Sequence, residues 1–200
     1  MSQMKPSTFR LNYYDYAVHP IARFLRSRMQ DQEILVDAVE GLRRKTPGSD
    51  HEATRIEANA EALACFLENF DAIELPRRLR FRKVPRTQPL IFREGVGISV
   101  RPELQFEATH RGVECLGGLK LYFAKNDPLT DEIAQHVACL LRRFFEENEK
   151  NGAKVMNRFC QVVDVFAGEV FVAPGATSRR LKQIDAACEE IQSGWDRLSR

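Results

Sequence analysis

An α+β fold is predicted by three features of this 200-residue sequence. Apolar residues recur at helical spacing through the first third, and again over residues 133–145 and 181–198. Between Leu90 and Phe123 they instead form short continuous or alternating runs bounded by turn residues. The two kinds of segment are segregated along the chain, which separates α+β from an alternating, doubly wound α/β architecture. The expected layout is a helical N-terminal region over residues 1–75. A mixed, largely antiparallel sheet flanked by helices follows over 76–200, and the whole is sized for one compact unit.

The elements follow in order. His19-Pro20 precedes Ile21, Phe24 and Leu25, and proline suits a first helical position. Ile34, Leu35, Val36, Val39 and Leu42 predict a second helix that fades into Arg43-Arg44-Lys45, where basic residues complement a helix C-terminus. Thr46-Pro47-Gly48 is a loop signal, and Ser49 or Asp50 is the next N-cap. The third helix puts Ile56, Ala60, Leu63, Phe66, Leu67 and Phe70 on one face and stops before Pro76. Strands are expected around Leu79, Phe81 and Val84, then at Leu90–Phe92, Val96–Val100, Leu104–Thr109 and Val113–Phe123, with a turn at His110-Arg111-Gly112. Asp127 as cap and Pro128 at the first position open a helix whose apolar stripe runs from Ile133 to Phe145. A hairpin of Cys160–Phe166 and Val170–Val172 turns at Ala167-Gly168, and a last helix carries Leu181, Ile184, Cys188, Ile191, Trp195 and Leu198.

Thirty basic against 28 acidic residues leave a formal charge of +2, too little for a globally basic, histone-like nucleic-acid binder. No run approaches the roughly 20 apolar residues that span a bilayer, and the polar Met1–Arg10 has no signal-peptide core. Cys65, Cys115, Cys139, Cys160 and Cys188 are scattered in apolar contexts without a C-x-x-C pair, which predicts reduced core thiols in a cytoplasmic, bacterial-type protein.

One constellation carries chemical content. Pro102-Glu103 opens one predicted strand and Lys120 ends the next, so an antiparallel pair brings Glu103 and Lys120 toward one face. A carboxylate beside a lysine is the minimal kit for orienting a divalent cation and a water. This arrangement resembles the signature of the PD-(D/E)XK nuclease superfamily, whose core is a helix, a mixed sheet, a helix and a further strand. The resemblance implies that Glu103 is the first metal-binding acid and Lys120 the family's lysine, with Mg²⁺ or Mn²⁺ as cofactor in an active member. The second acid should stand two residues before Lys120, and that position is Gly118. Its absence implies either a member without catalysis or an acid supplied from elsewhere. Glu114 and Glu107 are the nearest substitutes, and Glu57, Glu61 or Glu68 would supply one from a helix. Glu114 shares the face of Lys120 by strand alternation unless Gly117-Gly118 forms a bulge.

Other groups bear on partners. Arg77, Arg78, Arg80, Arg82, Lys83 and Arg86 follow one another with no intervening acid, extended by Arg93 and Arg101. Arg78, Arg80, Arg82 and Lys83 are candidate contacts to a DNA or RNA backbone, with Phe81 and Phe92 as stacking surfaces, or else the cluster protects a solvated sheet edge. His19, His51, His110 and His136 lack zinc spacing, and no local feature activates Cys160 with Asp164. Tyr13, Tyr14 and Tyr16, with Phe9 and Leu11, are either a surface for a protein partner or an arm packed on its own helices. The expected function is therefore a nucleic-acid-associated protein with a degenerate nuclease-like core, set in a mobile element or a defence system. Whether it is an enzyme stays open. The alternative is a non-catalytic protein-interaction or regulatory module; no membrane partner is expected.

Overall fold

The computed structural model describes residues 13–85, 87–149 and 151–198. Met1–Arg10, with Phe9, as well as Leu11 and Arg86, lie outside the described residues. Contacts divide the chain into two compact units, one ending at Leu67 and the other beginning at Glu68.

The first unit contains α1 (Asp15–Arg26), α2 (Glu33–Arg44) and most of α3 (Asp50–Asn69). Ile21, Phe24, Leu25, Leu35, Ile56, Leu63 and Phe66 are buried, and Phe24 meets Phe66 edge-on with ring centroids 6.2 Å apart. The α1 helix starts at Asp15, so Pro20 lies inside it and is not the first residue. The reason is a cap supplied from α3. Fully buried Asn59 accepts the Ala17 N–H at 2.9 Å and donates to the carbonyls of Tyr13 and Arg55 at 2.9 and 2.8 Å. The start of α3 is closed by its own sequence: Ser49 Oγ accepts the Glu52 N–H at 3.2 Å, while Glu52 accepts the Gly48 N–H at 2.9 Å. Tyr16 lies between Lys45 and Arg55, each about 4.5 Å from its ring centre.

The second unit holds a five-stranded sheet in the order β1-β4-β5-β6-β7, with β1 at Leu79–Phe81, β4 at Leu104–His110, β5 at Val113–Tyr122, β6 at Lys154–Asp164 and β7 at Glu169–Val172. Every pairing is antiparallel except β5 with β6. The β4–β5 hairpin turns through Arg111 and Gly112, both at positive φ (52° and 78°), the signature of a tight I′ turn. The parallel β5–β6 step needs a crossover, which α4 (Asp131–Asn148) supplies. Ala134, Ala138, Leu141, Phe144 and Phe145 of α4 pack on Leu116, Cys160 and Val162. Strands β2 (Ile91–Arg93) and β3 (Val96–Ile98) form a separate hairpin, and α5 (Ser178–Leu198) completes the unit. The architecture is α+β. Among the described residues no helix is long and apolar enough to cross a membrane.

Two further boundaries differ from the sequence expectation. The α4 helix begins at Asp131 with Thr130 as its cap, not at Pro128 with Asp127. Residues ahead of it are tied elsewhere: the Leu129 N–H goes to buried Asp164 at 2.9 Å, and the Asp127 carbonyl accepts the Tyr122 hydroxyl at 2.9 Å. The β6 strand starts at Lys154, upstream of Cys160, because its first residues pair with Cys115 and Leu116 before the register slips between Leu116 and Gly118.

Replacing Asn59 by Ala removes one acceptor and two donors from a buried position. It should destabilise the first unit by about 1–3 kcal/mol. Urea denaturation followed by helical circular dichroism reads the loss.

Candidate functional site

Chain geometry around Glu103 is set by the bend that precedes β4. Arg101 adopts a positive φ of 48° and Pro102 is buried, which turns the next residue back onto β5. The Glu103 N–H donates to the Leu119 carbonyl at 3.0 Å, extending the β4–β5 ladder by one step. Its carboxylate completes the junction. Oε1 accepts from Lys120 Nζ at 2.5 Å, and Oε2 accepts the Leu121 N–H at 2.7 Å. Both side chains are largely shielded, with 14% of Glu103 and 25% of Lys120 exposed. Burial pushes the Glu103 carboxyl above the usual carboxylate range, and Lys120 and the Leu121 N–H draw it partly back.

The same face continues along the two strands. Register pairs Gln105 with Gly118 and Glu107 with Leu116, so Glu103, Gln105 and Glu107 follow one another by strand alternation. Gly118 marks the position where the resemblance would place a second acid. A Cβ there would lie 2.2 Å from the Leu104 carbonyl oxygen and 2.5 Å from Phe145 of α4. Only glycine fits. Glu107 is held by Arg80 and, at 3.6 Å, by Arg82, which also reaches Glu149 at 3.7 Å.

The structure therefore brings Glu103 and Lys120 together and separates them from Glu114. That residue pairs with Thr109 at the opposite end of the hairpin, where its carboxylate accepts the threonine hydroxyl at 2.7 Å. Six residues of strand put it about 20 Å from Lys120, so Glu103 and Glu114 do not form one metal site. Glu57 and Glu61 belong to the first unit and Glu68 is an exposed residue of the second. Among the described residues no group of three or more His, Cys, Asp or Glu side chains is gathered to hold a metal ion. The residues present do not fit Mg²⁺ or Mn²⁺, which require several oxygen ligands.

The basic segment is split by its ion pairs. Arg80 and Arg82 are engaged by Glu107 and Glu149, whereas Arg78 and Lys83 are exposed and stand outside those pairs. Phe81 packs edge-on against Phe106 at 6.5 Å, so it is not a free stacking surface; Phe92 is 66% exposed. All five cysteines are free thiols, and burial pushes Cys160 up to about 12, which leaves it inert as a nucleophile. Asp164, its candidate partner, is occupied by the Leu129 and Ala167 N–H groups. His136 is held by the Glu132 carbonyl at 2.7 Å and Gln183 at 3.2 Å.

Sequence reasoning missed two long-range contacts that shape this region. Gln88 donates to the Pro102 carbonyl at 3.3 Å, and Arg93 makes a two-pronged pair with Asp185 of α5, both bonds at 2.6 Å. The first joins residues 14 apart and the second residues 92 apart, separations at which no local periodicity operates. Comparison with protein-family models, curated proteins and solved structures gives no match.

Replacing Lys120 by Met leaves the Glu103 carboxylate shielded without its cation. Stability should fall by about 2–4 kcal/mol at neutral pH. The folded-state pKa of Glu103 then rises further above its unfolded value, so the folded state binds the extra proton and gains from acid. The penalty should be small near pH about 4 and grow as pH rises through the raised pKa, as read by urea unfolding across pH.

Proposed function

We propose that this protein is a nucleic-acid-associated module with a nuclease-like core that has lost its chemistry. The observation that carries the reading is the closed Glu103–Lys120 pair beside Gly118. Both carboxylate oxygens are spent on Lys120 and Leu121, and the space for a second acid is filled by the Leu104 carbonyl and Phe145. A lysine locked in this way positions no water. The chain order α3, β1, the β2–β3 hairpin, β4, β5, α4, β6, with β6 parallel to β5, supports the nuclease-like part of the reading. The nucleic-acid part is supported by Arg78 and Lys83, exposed at the β1 edge of the sheet. Such cations contact phosphates without reading sequence.

A second reading, a protein-interaction module, is favoured by one feature of α5. Its inner line, half-buried Leu181 and Ile184 and buried Cys188, continues as Ile191, Trp195 and Leu198, which are 48%, 55% and 82% exposed. Exposed apolar stripes of this kind mark contact surfaces.

Incubation with plasmid or single-stranded DNA and Mg²⁺ or Mn²⁺ should give no cleavage. Binding to labelled DNA should weaken steeply with salt, and Arg78→Ala with Lys83→Ala should lower the salt slope by about 1–2. Cleavage that disappears in Lys120→Ala would overturn the loss of chemistry. No binding at low salt, together with a stoichiometric protein partner released by Trp195→Asp, would favour the second reading.

A further inference from the structure

The β2–β3 hairpin is fixed at three points. Ile91, on its inner face, is fully buried in the core beneath α4. Arg93 is clamped by both oxygens of Asp185. Glu94 and Gly95 turn at positive φ (46° and 81°), the geometry of a tight two-residue connection. The outer face is different. Leu90 and Phe92 are 45% and 66% exposed, and they lie over Gly97, where a Cβ would come 3.0 Å from Leu90 and 3.3 Å from Phe92. An aromatic ring is thus presented outward on an element that does not yield, with its side supported.

The segment that leads into the hairpin reaches the start of β4. Gln88, just before the hairpin, is bonded to the Pro102 carbonyl and lies 3.4 Å from Gln105; Arg101, just after it, is exposed. The segment that enters the hairpin leaves β1 along the start of β4, with the Arg82 N–H on the Gln105 carbonyl at 2.9 Å. Lys83, next to Arg82, and Arg101, next to Pro102, therefore both lie at the start of β4, where the chain enters and leaves the hairpin.

We infer that Phe92 is a base-stacking platform for single-stranded DNA or RNA, with Lys83 and Arg101 as its phosphate contacts. This rests on the nucleic-acid reading above and specifies its ligand. Two observations favour a strand over a protein. Leu90 and Phe92 make a patch of two exposed side chains, small beside the roughly 800 Å² per partner of a stable protein interface, yet one exposed ring matches one base. Along the chain on either side of the ring the exposed described charges are Lys83 and Arg101, with Glu94 at the turn as the one acid, and a phosphate backbone pairs with such cations. Single strands are favoured because a base inside a duplex is already stacked on its neighbours.

The test is fluorescence anisotropy with a labelled 12-mer of thymidylate, its RNA counterpart and a duplex of the same length. The intact protein should prefer the single strands. Phe92→Ala should weaken single-strand binding by about tenfold and leave the salt slope unchanged, and Phe92→Trp should restore it. The Phe92 ring is solvent-facing, and unchanged circular dichroism and melting confirm that the variants fold. Single-strand binding that is salt-dependent but indifferent to Phe92 would overturn this inference and leave the broader reading intact. No binding to any of the three at low salt would overturn both.

Discussion

Three elements close onto the middle of β5 because that strand carries two consecutive residues without side chains. A Cβ on Gly117 would meet the Phe159 carbonyl of β6 at 2.4 Å, and one on Gly118 would meet the Leu104 carbonyl of β4. The glycines point to opposite faces, so relief on both sides of the sheet is needed at one level of the strand. The parallel β5–β6 ladder slips its register there, while the antiparallel β4–β5 ladder passes through unbroken. Phe145 descends onto Gly118 from α4, which brings the crossover helix down onto the core. Side chains at either position would force β6, β4 or α4 away.

On the proposed nuclease-like reading, that constraint also bears on the chemistry. A carboxylate at position 118 and the present packing exclude one another, since the same space cannot hold both an acid and the Leu104 carbonyl with Phe145. Without a second acid, the Glu103–Lys120 pair becomes a fastening. It ties the first residue ahead of β4 to the last turns of the β5 ladder by one ion pair and two backbone bonds. Shielded ion pairs of this kind contribute little net stability compared with apolar side chains of the same shape, but each partner is costly to remove alone. Such a pair specifies register more than it adds free energy.

Much of this was legible from residue patterns, and the limits have physical causes. Helical spacing located α2, α3, α4 and α5, and the Arg111-Gly112 turn announced the central hairpin, because these are local properties of the backbone. The juxtaposition of Glu103 and Lys120 followed from strand register once that hairpin was placed. The early start of α1 was not legible, since its cap comes from Asn59, 42 residues away. Nor was the fate of Glu114: alternation assigns a face, not a position along a strand, and Glu114 sits at the far end. The pairing of Arg80 and Arg82 with Glu107 and Glu149 likewise depends on which strands become neighbours.

On the proposed function, the distribution of charge explains how a basic segment in a nearly neutral chain would present a phosphate-sized contact. Glu107 and Glu149 neutralise the arginines that face along β4, so the field of the segment as a whole is weak. What survives at the surface is local: Arg78, Lys83 and Arg101, each exposed. At physiological ionic strength their influence extends only about 8 Å into solvent. Long-range steering is therefore small, and a ligand must be held by direct contact. Three cations release too few counterions for tight binding by themselves. On that reading an exposed ring near Lys83 and Arg101 would add an interaction that salt does not screen, and Phe92, on a hairpin pinned through Arg93, is the exposed aromatic side chain of the described sheet region.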